Sequence, residues 1–348
     1  MTSSRSLVVV LLFSIASPLP AEELQPSPTA TPDQVRQTVD RAVAYLQTES
    51  GTWLSTRKCA ACHHAGMPLW ALSVADQRGY TIDRQYLADR IEQLLGNEEN
   101  LFGSRIFPNP ADPPDPRPSG RGLNMGLPFL AVAARSLPKL TDGQAESLRK
   151  IDDLTVQKQQ PDGSWEFFAG LRRPPINEVQ STDVAWVLMS LEAGTTPDSP
   201  EAQKTALANG MRWLATAPPS ELHQDKALKL ILGARTGASR ESLQGTIDEL
   251  LALQRVDGGW TQTVKEPRSD AFATGQTLYG LALLGFTAND PAVRRAIDFL
   301  VATQSPEGKW AMVSRSTPNG EEGSSKLLTP IECAAASWAV LGLVETNP

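Results

Sequence analysis

One short pattern recurs four times along the 348-residue chain and sets what it can fold into: Gln, three residues, Gly, one residue, Trp. The copies are Gln47/Gly51/Trp53, Gln159/Gly163/Trp165, Gln254/Gly258/Trp260 and Gln304/Gly308/Trp310. Three of them follow a helical apolar pattern, at Ala42 to Leu46, Leu251 to Leu253 and Ala296 to Leu300. The glycine can take the left-handed conformation that closes a helix. Trp260 and Trp310 are 50 residues apart, while the two earlier gaps, 95 and 112 residues, are each near two periods. Degenerate units are therefore expected between them, one at Met211-Arg212-Trp213-Leu214 and one beginning at Ile91 to Leu95. A fixed period of this size marks stacked supersecondary units, and six of them fill the chain.

Each unit reads as two helices. The second helices are apolar and rich in small residues, as in Val184 to Leu191, Ala271 to Leu284 and Ala334 to Leu343, which suits packing on both sides. The first helices carry more charge, as in Asp83 to Leu95 and Arg294 to Leu300, which suits one buried stripe. Inner and outer helices in alternation predict an all-α fold, an (α/α)6 toroid of six helical hairpins, over residues 35–348. The four turns and the helix Ser269-Asp-Ala-Phe-Ala-Thr-Gly-Gln276 resemble the terpene-cyclase and prenyltransferase superfamily, as in squalene–hopene cyclases. The resemblance covers most of residues 35–345. It implies that each Gln and Trp ties neighbouring hairpins together at the rim.

The chemistry that the resemblance implies has no matching residues. Cyclases of this type protonate an alkene with an Asp-x-Asp-Asp motif, which the chain lacks. Its one adjacent pair, Asp152-Asp153, falls on an outer, charged helix. Zinc-dependent prenyltransferases require an Asp, a Cys and a distant His. Cys333 falls on the last inner helix with no His after it, and reads as a small core residue. Aromatic residues make up only 6% of the chain, few for a cavity that stabilises carbocations. Terpene cyclisation is not expected.

The N-terminus has the layout of a secretory signal peptide: Arg5, an apolar stretch from Leu7 to Ile15, and a cleavage region ending at Ala21. The apolar run is too short to span a membrane. Residues 22–34, with Pro26, Pro28 and Pro32, read as a flexible leader. An exported chain, periplasmic or extracellular, is expected, and not one that spans the membrane. Nucleic acid is excluded as a partner by charge, with 32 basic residues against 39 acidic ones.

Two of three cysteines and two of three histidines fall in Lys58-Cys59-Ala60-Ala61-Cys62-His63-His64. Cys-x-x-Cys-His is the attachment signature of c-type haem, with two thiols joined to the vinyl groups and the His on the iron. With so few Cys and His, chance produces the pattern about 2 times in 10,000. A Cys59–Cys62 disulfide, a zinc site and a thioredoxin-like redox site stay open as alternatives.

Inner helices should all start at one end of the ring, which would place His63, Met125, Asp183, His223 and Asp270 around one mouth. With His63 as proximal ligand, Met125 and His223 are the distal candidates, Met125 favoured. His64 is adjacent to His63, and Met67 is too near, so both are set aside. Asp183 and Asp270 have a capping reading beside an acid–base one. Residues 97–121, with six prolines between Pro108 and Pro118, and the Ser/Gly-rich stretch 312–328 are expected at the same end, as covers or as solvated linkers. The leading expectation is an exported haem-c toroid in electron transfer or redox sensing, with a redox partner. The alternatives are a lipid- or glycan-binding toroid with a Cys59–Cys62 disulfide, and an isoprenoid-type enzyme.

Overall fold

The computed structural model describes residues 29–57, 62–96, 123–167, 174–313, 315 and 325–346. Twelve α-helices lie within them. The outer six are α1 (Pro32–Arg57), α3 (Arg84–Leu95), α5 (Asp142–Gln157), α7 (Glu201–Thr216), α9 (Gln244–Ala252) and α11 (Pro291–Thr303). The inner six are α2 (Met67–Gln77), α4 (Gly126–Arg135), α6 (Gln180–Gly194), α8 (His223–Arg235), α10 (Ala271–Leu283) and α12 (Ser325–Thr346). Among the described residues the only β pairing is two isolated bridges, Leu123 with Phe167 and Trp260 with Asp270.

The order of packing is circular. Each inner helix touches the next, from α2 through α4, α6, α8 and α10 to α12, and α12 returns to α2. The chain is an (α/α)6 toroid. Its inner helices are buried almost all round, without a break over Met67 to Ala75, Gly126 to Ala134, Ser181 to Leu191 and Ala271 to Leu281. Outer helices bury one stripe, such as Val293, Ala296, Ile297 and Leu300 of α11. The run Leu328–Thr346 is long and apolar enough to cross a membrane, but 78% of its window is buried in the ring. It is a core helix.

Helix starts follow local chemistry. Thr31 and Gln34 form a reciprocal box, the Gln34 N–H on Thr31 Oγ1 (3.3 Å) and the Thr31 N–H on Gln34 Oε1 (2.8 Å). Thr141 and Gln144 do the same for α5. The packed chain begins earlier than residue 35: Ala30 is buried, and its N–H donates to Asp298 Oδ1 of α11 at 2.7 Å. The carboxylate on the last outer helix draws in the end of the expected leader.

Three copies of the repeated motif build one turn. Gly163, Gly258 and Gly308 have φ of 95°, 89° and 86°. Trp165, Trp260 and Trp310 are buried, and each indole N–H donates to the carbonyl ten residues before it: Thr155 (2.8 Å), Leu250 (2.6 Å) and Leu300 (2.9 Å). Each Gln side chain donates to its own turn glycine and to the next outer helix: Gln159 to Ala206 O, Gln254 to Ala292 O and Gln304 to Thr38 O, all at 2.8 Å.

The first copy differs. Gly51 lies inside α1, which runs on to Arg57. Asp162 and Asp257, each one residue before its glycine, accept the N–H two residues on, which bends the chain. Ser50 stands there in the first copy, and its hydroxyl donates to Leu46 O (2.6 Å) within the helix. Gln47 Oε1 instead accepts the Asp83 N–H at the start of α3 (2.9 Å), and Trp53 stacks on His64 at 3.8 Å and 3°.

Candidate functional site

Alternation of outer and inner helices puts all six inner N-termini at one end of the ring. Four of the expected mouth residues are at those starts. Met125 is the N-cap of α4, half-buried against the core. Asp183 is buried in the first turn of α6, and His223 is the buried first residue of α8. Asp270 is the N-cap of α10, its Oδ1 accepting the Ala273 N–H at 2.9 Å. Cys59 lies outside the described residues. Of Cys62 and His63 only the backbone is described, in a wide helical turn, Cys62–Gly66, packed on α2, α4 and α12.

A chain of polar side chains crosses the mouth between α6 and α10. Arg315 makes a two-point pair with Glu178, Nη1 on Oε2 at 2.6 Å and Nη2 on Oε1. Its Nε donates to Gln262 Oε1 at 2.9 Å, and Gln262 Nε2 donates to Asp270 Oδ2 at 3.1 Å. The Gln262 carbonyl accepts the His223 N–H at 3.1 Å. His223 Nε2 lies 2.7 Å from Thr277 Oγ1 on α10. Below it, Asp225 pairs with Lys229 at 2.9 Å, and Gln224 Nε2 donates to Ile176 O at 3.1 Å.

Burial shapes the titration here. Desolvation pushes the Asp270 carboxyl up to about 6, against the opposing pull of the Ala273 N–H, Gln262 and Arg315. Part of its surface still opens outward. The His223 imidazole is pushed down to about 4 by desolvation. It is therefore neutral at pH 7 and serves to join α8 to α10, beyond the mouth-ring role expected for it. Cys333 is fully buried, its thiol pushed up by desolvation. Asp152, expected on an outer charged face, lies on outer α5 but is buried and paired with Arg135 at 2.6 Å.

The bore below the mouth is closed by aromatic rings. Trp70, Phe129, Trp186, Tyr279 and Trp338 come from five inner helices. Trp70 meets Tyr279 and Trp338 edge-on at 5.4 Å each, and Phe129 meets Trp186 at 4.0 Å. Trp186 and Trp338 are 5.7 Å apart. The core of the ring is thus a packed aromatic layer, and the polar groups lie on its mouth side.

Sequence reasoning missed Glu178, Gln262 and Arg315. Arg315 belongs to the stretch 312–328 expected to cover the mouth, and an arginine in a Ser/Gly-rich run was the available signal. Residues 314 and 316–324 of that stretch, and all of residues 97–121, lie outside the described residues.

No protein-family model matches the sequence. Solved structures of similar shape are α/α toroids. One is a type II terpene cyclase, MstE from Scytonema, at 15% identity over 90% of this chain and 98% of that one, TM-score 0.53. A possible GH105 family member from Salmonella enterica serovar Paratyphi A is 14% identical over 96% and 99%, TM-score 0.59. A polysaccharide lyase, BACCELL_00875, is 11% identical over 91% and 98%, TM-score 0.56. At these identities the likeness defines the fold class, an α/α toroid, and the chemistry has to be argued from the mouth.

Proposed function

We propose that the toroid binds a hydroxyl-rich, glycan-type ligand at its mouth. The observation that carries this is the division of the bore: a closed aromatic layer beneath, and the chain Glu178–Arg315–Gln262–Asp270 above. An isoprenoid needs a deep open apolar chamber, whereas a sugar needs fixed donors and acceptors beside apolar faces. That a lyase and a possible GH105 member share the fold agrees with this reading without deciding it. Asp270 is the group suited to exchange a proton with a ligand oxygen, since its carboxyl is half protonated near pH 6.

Calorimetric titration with neutral and acidic oligosaccharides tests the reading. Saturable binding that weakens at least tenfold in Arg315→Ala supports it. Binding of squalene in preference to every sugar, or its conversion to cyclised products, overturns it.

The Cys59-x-x-Cys62-His63 segment carries a separate proposal, haem attachment in an exported chain, supported by the Cys62–Gly66 turn lying at this mouth. A bound haem would supply electron transfer, and Cys59, Cys62 and His63 would hold it. As a second iron ligand Met125 would suit better than His223, which is enclosed against Thr277. A pyridine haemochrome spectrum of protein from a haem-attaching host tests it. Absence of haem there would favour a Cys59–Cys62 disulfide.

A further inference from the structure

Native proteins give nearly every buried polar atom a partner, so a group of exceptions calls for an explanation. Among the described residues, four such atoms belong to side chains that line the bore: Trp186 Nε1, Trp338 Nε1, and both Gln276 Oε1 and Gln276 Nε2. All three residues are essentially fully buried. The aromatic layer around them offers these polar atoms no hydrogen-bond partner.

Their direction follows from the helices. On α10, Gly275 and Leu278 lie against α12, while Thr277 and Gly280 lie against α8. Between those flanks the helix presents Phe272, Gln276 and Tyr279 to the bore. Gln276 thus stands just mouthward of Tyr279 and its contacts with Trp70 and Trp338. Six residues separate it from Asp270, so it lies about 9 Å below the mouth.

We propose that Gln276 and the indole N–H groups of Trp186 and Trp338 form a deep subsite for one hydroxyl group of a neutral ligand. The inference rests on the glycan-type reading of the mouth and extends it downward. A hydroxyl oxygen accepts two hydrogen bonds and donates one. The indole N–H groups supply two donors, and the Gln276 amide supplies a further donor and the acceptor. A carboxylate would sit within one turn of the Asp183 carboxyl group, which shares the bore-facing side of α6 with Trp186. An ammonium group would face a set made mostly of donors. The aromatic faces beside the subsite suit the apolar face of a sugar ring.

The test uses protein with 15N-labelled tryptophan, titrated with xylose, glucose and cellobiose and followed by calorimetry and indole N–H resonances, assigned through Trp186→Phe and Trp338→Phe. Binding should move the Trp186 and Trp338 resonances downfield. Those of Trp165 and Trp260, already donating to Thr155 and Leu250, should stay in place. Gln276→Leu should weaken binding at least tenfold and raise the melting temperature of the free protein, because it removes a buried amide that has no partner. Trp338→Phe, which keeps a ring and loses only the donor, should weaken binding severalfold, and covers the case in which Gln276→Leu fails to fold. Sugar binding with unmoved indole resonances would overturn the subsite and leave the mouth reading standing. No binding of any sugar would overturn both. A lower melting temperature in Gln276→Leu would show that the amide holds the fold, and would overturn the subsite alone.

Discussion

Asp270 and His223 are joined through Gln262, by its side-chain amide and its backbone carbonyl respectively, and they respond to pH in opposite directions. The Asp270 carboxyl is raised from 3.8 to about 6, so the folded state holds its proton more tightly than the unfolded one. Its contribution to stability falls as pH rises from about 4 to 6. The His223 imidazole is lowered from 6.5 to about 4, so the unfolded state takes up the proton first. Its contribution is complete above 6.5 and is lost as pH falls towards 4. The two slopes offset each other over the same window. We expect wild-type protein to show a weak dependence there, Asp270→Asn to lose stability markedly on acidification, and His223→Gln to gain it. Urea midpoints measured between pH 4 and 7 check this, and parallel slopes in all three proteins would contradict it.

At the scale of the element, one sequence position behaves in two ways. Gly258 has φ of 89°, and a Cβ there would overlap the Arg295 carbonyl. Gly258→Ala should therefore cost on the order of 3 kcal/mol. Gly51 occupies the same motif position but sits inside α1, where a Cβ would meet only Tyr86 at ordinary contact, 3.4 Å. Gly51→Ala should stabilise by about 0.5–1 kcal/mol through helix propensity. Chemical denaturation of the two variants distinguishes them by sign. The motif was legible in the sequence in all four copies. Two of the three copies that turn carry an Asp before the glycine that accepts the N–H two residues on, whereas the copy that stays helical carries Ser50, bonded within its own helix. A similar argument concerns Arg135, whose removal leaves Asp152 buried without its cation. Arg135→Ala is expected to cost about 3–5 kcal/mol in the same assay.

At the scale of the molecule, the ring has a seam. Gln304 Nε2 donates to Thr38 O, 266 positions away, and α12 packs on both α2 and α10. Gly275 lets α12 approach α10 until the Trp338 backbone lies where a Cβ would be. Gly275→Val should force those helices apart, with a loss of cooperative unfolding by calorimetry, since each inner helix also supports the next one round. A single unshifted transition would show that the seam gives way without disturbing the rest.

The period of the repeat, the alternation of inner and outer helices and the end at which inner helices start were all determined by the sequence, because burial periodicity and capping act within a few residues. The mouth was not. Glu178 and Arg315 are 137 positions apart, and nothing local marks either as the other's partner. Likewise, Trp70, Trp186 and Trp338 read as ordinary core residues until five helices bring their rings into one layer. Only closure of the ring sets those distances, and with them the desolvation that raises Asp270 and leaves the Gln276 amide without a partner.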